Sequence, residues 1–379
     1  MMYLRKHSAM KASFLAAALL FGGAAVSGQD ATGGPARERA VFLATNDADH
    51  NEVISFVRKS DGTLQEGKRF ATGGRGSGGN NDPLESQGSL TLTSDHSELL
   101  AVNAGSGEIS VFSVHGAFLV LSDVVSSGGS EPNAVAQHGN LAYVLNTGGS
   151  SNVNGFRLQN GKLTPIPNSL RFLTSNTSGA ASLAFSPDGR FLAVTERLTN
   201  DIDVFPVNSD GTLGDIVTFT QGGAGTFSLS FAPDGALIVS ETGGANGSAT
   251  SSYAVQPGGA LTPISSSVPS DGKANCWNAI TPDGRFVYVS NAGSSTLAGY
   301  AIGVSGTLTP LLGTIVGENP TGATNLDIAV SGDGRFLYTL NSGNGTIGIF
   351  AIHSNGTLTP LPAAEGVTAN SGFNGIAAE

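Results

Sequence analysis

The chain of 379 residues is short of four things, and each shortage removes an explanation. It has one cysteine, Cys276, so no internal disulfide staples it and packing alone must hold the fold. Charged residues make up only 12%, with 18 Lys and Arg against 29 Asp and Glu. The net charge of -11 disfavours phosphate backbones and anionic bilayers, so no nucleic-acid partner is expected. Histidines number six, and only His50 falls on the face singled out below, which argues against a histidine zinc site. The motifs G-x-S-x-G, H-E-x-x-H and G-x-x-x-x-G-K-[ST] are absent, and "SDGK" at 270 sits in a turn-rich loop where S-x-x-K carries no helix. The one long apolar run, "ASFLAAALLFGGAAV" after Arg5, Lys6 and Lys11, is about 15 residues, below the roughly 20 of a membrane span. Residues 1–28 therefore read as an export signal and 29–38 as a linker, for a periplasmic or secreted product with no membrane span.

Glycine, by contrast, is abundant at 54 residues, and it punctuates a repeat. "SLAFSPDGRFLAV" at 182, "SLSFAPDGALIVS" at 228, "WNAITPDGRFVYV" at 277 and "DIAVSGDGRFLYT" at 327 are each an apolar run, a turn and a second apolar run. Their aspartates, Asp188, Asp234, Asp283 and Asp333, are 46, 49 and 50 residues apart, a spacing of propellers and solenoids. These aspartates read as turn formers. Weaker copies begin at 89 and 133.

A third run in each unit ends on an aromatic residue: Phe56, Phe112, Phe156, Phe205, Tyr253, Tyr300 and Phe350, so there are seven units. A turn then opens a fourth run, in which Pro165, Pro263, Pro310 and Pro360 place the strand at a sheet edge, because proline cannot donate to the ladder. The sequence thus predicts an all-β, seven-bladed β-propeller over 39–379, made of four-stranded antiparallel blades. It starts at "AVFLATN", a second strand, and ends at "GFNGIAAE", a first strand, so both termini close one blade. The insertion at 71–88, "ATGGRGSGGNNDPLESQG", is expected to lie over one face as a glycine-rich loop.

Comparing units position by position isolates the departures. The innermost strands begin with Ser89, Asn133, Ser182, Ser228, Trp277, Asp327 and, in the closing strand, Asn374. Small residues such as Thr91, Ala184, Ser230 and Ala279 follow two places on, as a crowded axis requires. The turns between second and third strands begin with Asn46, Asn103, Asn146, Glu196, Glu241, Asn291 and Asn341. Asparagine suits left-handed turn geometry, and Glu196 and Glu241 break the pattern on adjacent blades. Two neighbouring carboxylates would raise one another's pKa and leave one as general base, with Arg197 stabilising an oxyanion; solvated rim charges are the plainer reading. Trp277 either plugs the channel or offers a ligand its face. Cys276 reads as a buried small hydrophobe. Asp327, among Ser and Asn, needs a hydrogen-bond partner or a cation, and a divalent ion under Asp327, Asn325 and Asn374 is the one cofactor admitted.

With "SPDGRFLAVTE", "TPDGRFVYVSNAGSSTLAGYAI" and "LYTLNSGNGTIGIFAI" in view, the chain resembles the lactonase family of seven-bladed propellers, from position 40 to the end. That family includes propeller-type 6-phosphogluconolactonases and carboxymuconate-lactonizing enzymes. The resemblance implies opening or closing of a lactone at the channel mouth, with Glu196, Arg197 and Glu241 as catalytic candidates. Trp277, Asp327, Asn133, Asn374, Asn146 and Asn291 become candidates for binding a small lactone or sugar-like ligand, in a chain read as a monomer. Arg197 is the only arginine near the two rings apart from loop residues such as Arg75, which argues against a phosphorylated substrate. The alternative is a noncatalytic ligand- or protein-binding propeller scaffold.

Overall fold

Each blade is set by its turn. In the computed structural model, which describes residues 39–244 and 247–379, Asp188 Oδ1 accepts from Ser186 Oγ at 2.7 Å and from the Arg190 N–H at 3.1 Å. Gly189 takes the positive φ of 68° that closes the turn. The same arrangement recurs at Thr281 and Asp283 and at Ser331 and Asp333. The P-D-G aspartates are therefore turn formers, and their turns lie on one face of the disc.

Seven four-stranded antiparallel sheets follow, in meander order. Blade 4 runs Ala180–Phe185, Phe191–Glu196, Asp201–Pro206 and Val217–Phe219. Blade 7 runs Asn325–Val330, Phe336–Asn341, Thr346–Ile352 and Leu358–Ala364. Blade 3 adds a short strand, Arg171–Phe172, beside its third. The only helical segment among the described residues is one 3-10 turn, Val304–Gly306. Second strands such as Phe191–Glu196 and Phe336–Asn341 are buried along their whole length because both faces pack on neighbouring blades. The seven aromatics end up buried in third strands, and the register explains the prolines: Phe156, Tyr253, Tyr300 and Phe350 pair with Pro165, Pro263, Pro310 and Pro360 on the outermost strands.

The ring closes through both termini. Ile376–Ala378 is the innermost strand of blade 1, pairing with Val41–Leu43. Two carboxylates of blade 7 clasp that joint. Asp327 accepts the Ile376 N–H at 3.2 Å on the loop face. Asp333 binds Arg58 of blade 1 through both oxygens on the turn face, at 3.1 and 3.0 Å, and Arg39 as well. Burial works against ionised Asp333, but Arg58 and Ser331 outweigh it and hold its carboxyl well below the usual range. The segments read as an export signal and a linker lie outside the described residues.

Deleting residues 372–379 should expose the inner edges of blades 1, 2 and 7 and leave Asp327 without the Ile376 N–H. Differential scanning calorimetry should show the midpoint falling by about 10 °C or more, with loss of a single cooperative transition. An unchanged endotherm would show that the ring does not depend on this strand.

Candidate functional site

The 4-to-1 and 2-to-3 connections share the face opposite the P-D-G turns, and one of them covers the axis. The insertion after strand Leu64–Ala71 crosses the face as a plug. Asn46 anchors its stem, donating to Ser77 Oγ at 3.0 Å and accepting from the Ser77 N–H at 2.9 Å. Residues 80–87 then reach five blades. Gly372 N–H donates to the Asn80 carbonyl, Ser342 Oγ to that of Asn81, and Ser86 Oγ to that of Asn133. Gln87 N–H donates to the Ala181 carbonyl, and its side chain exchanges two hydrogen bonds with the Asn278 backbone. Trp277, 1% exposed, packs edge-on to Phe227 and donates its indole N–H to Ser86 O at 2.8 Å. Trp277 thus fastens the plug.

On the plug and beneath it lie the groups with chemistry. Asp82 accepts from Asn374 Nδ2 at 2.8 Å, and Asn374 Oδ1 in turn accepts from Ser89 Oγ at 3.0 Å. Removal from water, with the charge of Glu85 adding to it, pushes the Asp82 carboxyl up to about 7. Burial pushes Asp327 up to about 8, resisted by the N–H groups of Ile376 and Ile328 that donate to its two oxygens. Arg197 pairs through Nη2 with Glu85 Oε2, and its field also reaches Asp82 and Cys276. Burial raises the Cys276 thiol far above its ordinary value, so it stays protonated and inert. Asn133 is buried, with Nδ2 on the Ala180 carbonyl. Asp327, Asn325 and Asn374 turn to different partners, Asn325 Nδ2 going to the Thr296 carbonyl of the neighbouring blade. Among the described residues no three His, Cys, Asp or Glu side chains converge on a point that would hold a metal.

The second ring has a different character from the one its sequence position suggests. Its residues end second strands and tuck under the loop arriving from the previous blade: a side-chain carbon at Gly129, Gly223 or Gly272 would collide with Asn146, Glu241 or Asn291. Glu196 and Glu241 are accordingly not solvated rim charges, being 0% and 2% exposed. Nor do they act on each other. Glu241 receives Ser251 Oγ and, at 2.7 Å, Ser267 Oγ, and its pKa rises because it is buried. Glu196 Oε2 receives Thr174 Oγ1 at 2.7 Å and Thr199 Oγ1 at 3.0 Å.

The partner of Glu196 is instead Asp203, two places beyond its cross-strand neighbour Asp201. Asp203 Oδ1 accepts from Thr218 Oγ1 at 2.7 Å. Glu196 Oε1 and Asp203 Oδ2 are both buried without a hydrogen-bond donor. Burial, resisted by Thr218 and reinforced by Glu196, pushes Asp203 up to about 7. By register, Ser110, Asn154, Ser251, Ala298 and Gly348 occupy this place in other blades, so repeat comparison of third strands would have exposed Asp203. Asp82 and Glu85 had only one signal, as the acidic residues of a glycine-rich insertion.

Open clefts lie elsewhere. One, between blades 4 and 5 on the turn face, is walled by Asp188, Asp234 and neighbouring turn residues, whose carboxylates already serve their own turns.

The family model "Lactonase, 7-bladed beta-propeller" matches residues 38–278, and the chain belongs to that family. No curated protein matches it. Among solved structures it is similar to a Bacteroides uniformis protein provisionally named a 6-phosphogluconolactonase, at 20% identity over 89% of this chain and 100% of the other, with a TM-score of 0.69. It is also similar to the Pseudomonas aeruginosa periplasmic gluconolactonase PpgL, at 19% identity over 88% and 98%, with a TM-score of 0.67. These likenesses establish a shared fold.

Asp82, Asp203 and Asp327 share a consequence for stability. Their folded pKa values lie above the unfolded value of 3.8, so the folded protein keeps protons that the unfolded chain releases. That stabilisation is complete below the unfolded value and is lost as pH rises through about 7 for Asp82 and Asp203 and about 8 for Asp327. The depressed carboxyls, such as Asp333 and Asp188, act only at lower pH. The thermal midpoint should therefore drop between about pH 5 and about pH 8.5, and Asp203→Asn should flatten the drop. A midpoint that climbs across this window would contradict the assignment.

Proposed function

We propose that the chain is an exported lactonase that hydrolyses a lactone at the plugged mouth of the loop face. The observation that carries this reading is a guanidinium, Arg197, held by Glu85 of the plug within the field of a second plug carboxyl, Asp82, which is poised near neutrality at the axis of a lactonase-family propeller. Asp82 takes a proton from water as its oxygen attacks the lactone carbonyl. Arg197 stabilises the resulting oxyanion. When the ring C–O bond breaks, Asp82 returns the proton to the departing alkoxide, leaving a hydroxycarboxylate. Asn374, on Asp82 Oδ1, keeps the base oriented. Glu196 is sealed from water among Thr174, Thr199 and Asp203, which suits it to hold the loop beside Arg197 rather than to activate a nucleophile. Export is supported by the leader read in residues 1–28 and by the periplasmic location of the Pseudomonas aeruginosa relative.

One observation favours a second reading: the plug covers the axis and Trp277 has no free face, as suits a noncatalytic binding scaffold. A panel of aldonolactones and aromatic lactones separates the two. Turnover by the full mature chain supports the hydrolase, and saturable binding without turnover supports the scaffold. If it is a hydrolase, Arg197→Gln and Asp82→Asn should each lower kcat/KM by about 10²-fold or more, and Glu196→Gln by less than about tenfold. Full activity in Asp82→Asn with none in Glu196→Gln would restore Glu196 as the base.

A further inference from the structure

Glu85 is the unusual residue of the plug. It is a non-glycine residue in the left-handed region, with φ of 44°, and its side chain is 60% exposed. That exposure makes the ion pair with Arg197 a weak one in water. The pair is also one-sided. Glu85 engages Nη2 through a single oxygen, while Arg197 Nε is buried and has no acceptor. A guanidinium presents Nε and Nη2 as a parallel fork that fits both oxygens of one carboxylate, and an unmatched buried donor there is costly.

We propose that Glu85 is an internal stand-in for the carboxylate of a ligand, and that the Arg197 fork binds a polyhydroxy carboxylate that displaces it. The assignment rests on the lactonase reading to this extent, that ring opening yields a hydroxycarboxylate at Arg197. It adds a gate. With Glu85 seated, Arg197 is neutralised and the mouth is closed. When a ligand carboxylate takes both Nε and Nη2, Glu85 leaves, and the left-handed residue at the plug's tip is released and lifts toward solvent. Asn80, Asn81, Ser86 and Gln87 tether the plug on either side of Glu85, so displacement need break only the tip contact. Apparent affinity for the ligand is then reduced by the fraction of molecules in which Glu85 holds the fork.

Isothermal titration calorimetry with D-gluconate as the probe, on the full mature chain, tests this. Glu85→Gln, which keeps the shape and loses the charge, should bind gluconate about tenfold or more tightly than the unsubstituted protein. Arg197→Gln should abolish saturable binding in both backgrounds, with circular dichroism showing the fold intact. Equal or weaker binding by Glu85→Gln, saturable binding that survives Arg197→Gln, or no binding by any variant overturns the proposal. Because the readout is binding, it stands apart from turnover: lactone hydrolysis with unchanged affinity in Glu85→Gln defeats the gate alone, and tightened affinity without hydrolysis defeats the lactonase reading alone.

Discussion

Closure of the ring is the constraint on which everything else depends. A blade can bury both faces only if each neighbour is present, so an open ring of seven sheets would leave two inner faces wet. The joint falls between the last three-residue strand and the first, where backbone pairing between Ile376–Ala378 and Val41–Leu43 is short. Asp327 and Asp333 of blade 7 reinforce it from opposite faces. The two aspartates solve the problem differently. Asp333 stays ionised between Arg58 and Arg39, whereas Asp327, with only backbone donors, is driven toward its neutral form. Closure thus places a protonatable carboxyl at the axis, next to the plug.

Much of the fold was legible because repetition supplies its own control. A P-D-G turn must close on itself with a glycine at positive φ, and a proline opposite a buried aromatic must be on an edge, so four clear turns and four edge prolines define the blade and seven recurring aromatics count the blades. The site was legible only in part. Asp327 and Trp277 depart from a polar ring of inner-strand positions that includes Asn374, and the structure gathers all three, with Arg197, around the plug. The misreading of Glu196 and Glu241 as exposed has a physical cause. A residue ending a second strand can point toward solvent or under the incoming loop, and the choice is set by glycines such as Gly223 in a loop some 18 residues upstream. Nothing in the local sequence records that packing. The plug escaped for the opposite reason: it has no counterpart in other blades, so comparison of repeats is silent about Asp82 and Glu85.

A chain with so few charges concentrates its buried carboxyls where they do something. Glu196 and Asp203 sit on adjacent strands of blade 4, Asp82 and Asp327 in another region at the axis, and each group takes its hydrogen bonds from hydroxyls, amides or backbone N–H groups. Burial, working against those donors, raises the pKa values of Asp82, Asp203 and Asp327 toward neutrality, where proton transfer at physiological pH is most effective. Arg197 stands out against this background as a guanidinium only partly matched by acceptors.

The most direct test of the central claim, that the ligand site is the plugged axial mouth at Arg197, is a crystal structure of Asp82→Asn soaked with D-glucono-1,5-lactone. Ligand density is expected against Arg197 Nε and Nη2, with the Glu85 side chain displaced and the plug's tip raised. Ligand density confined to the turn-face clefts beside Asp188 and Asp234, with Glu85 still on Arg197, would contradict it.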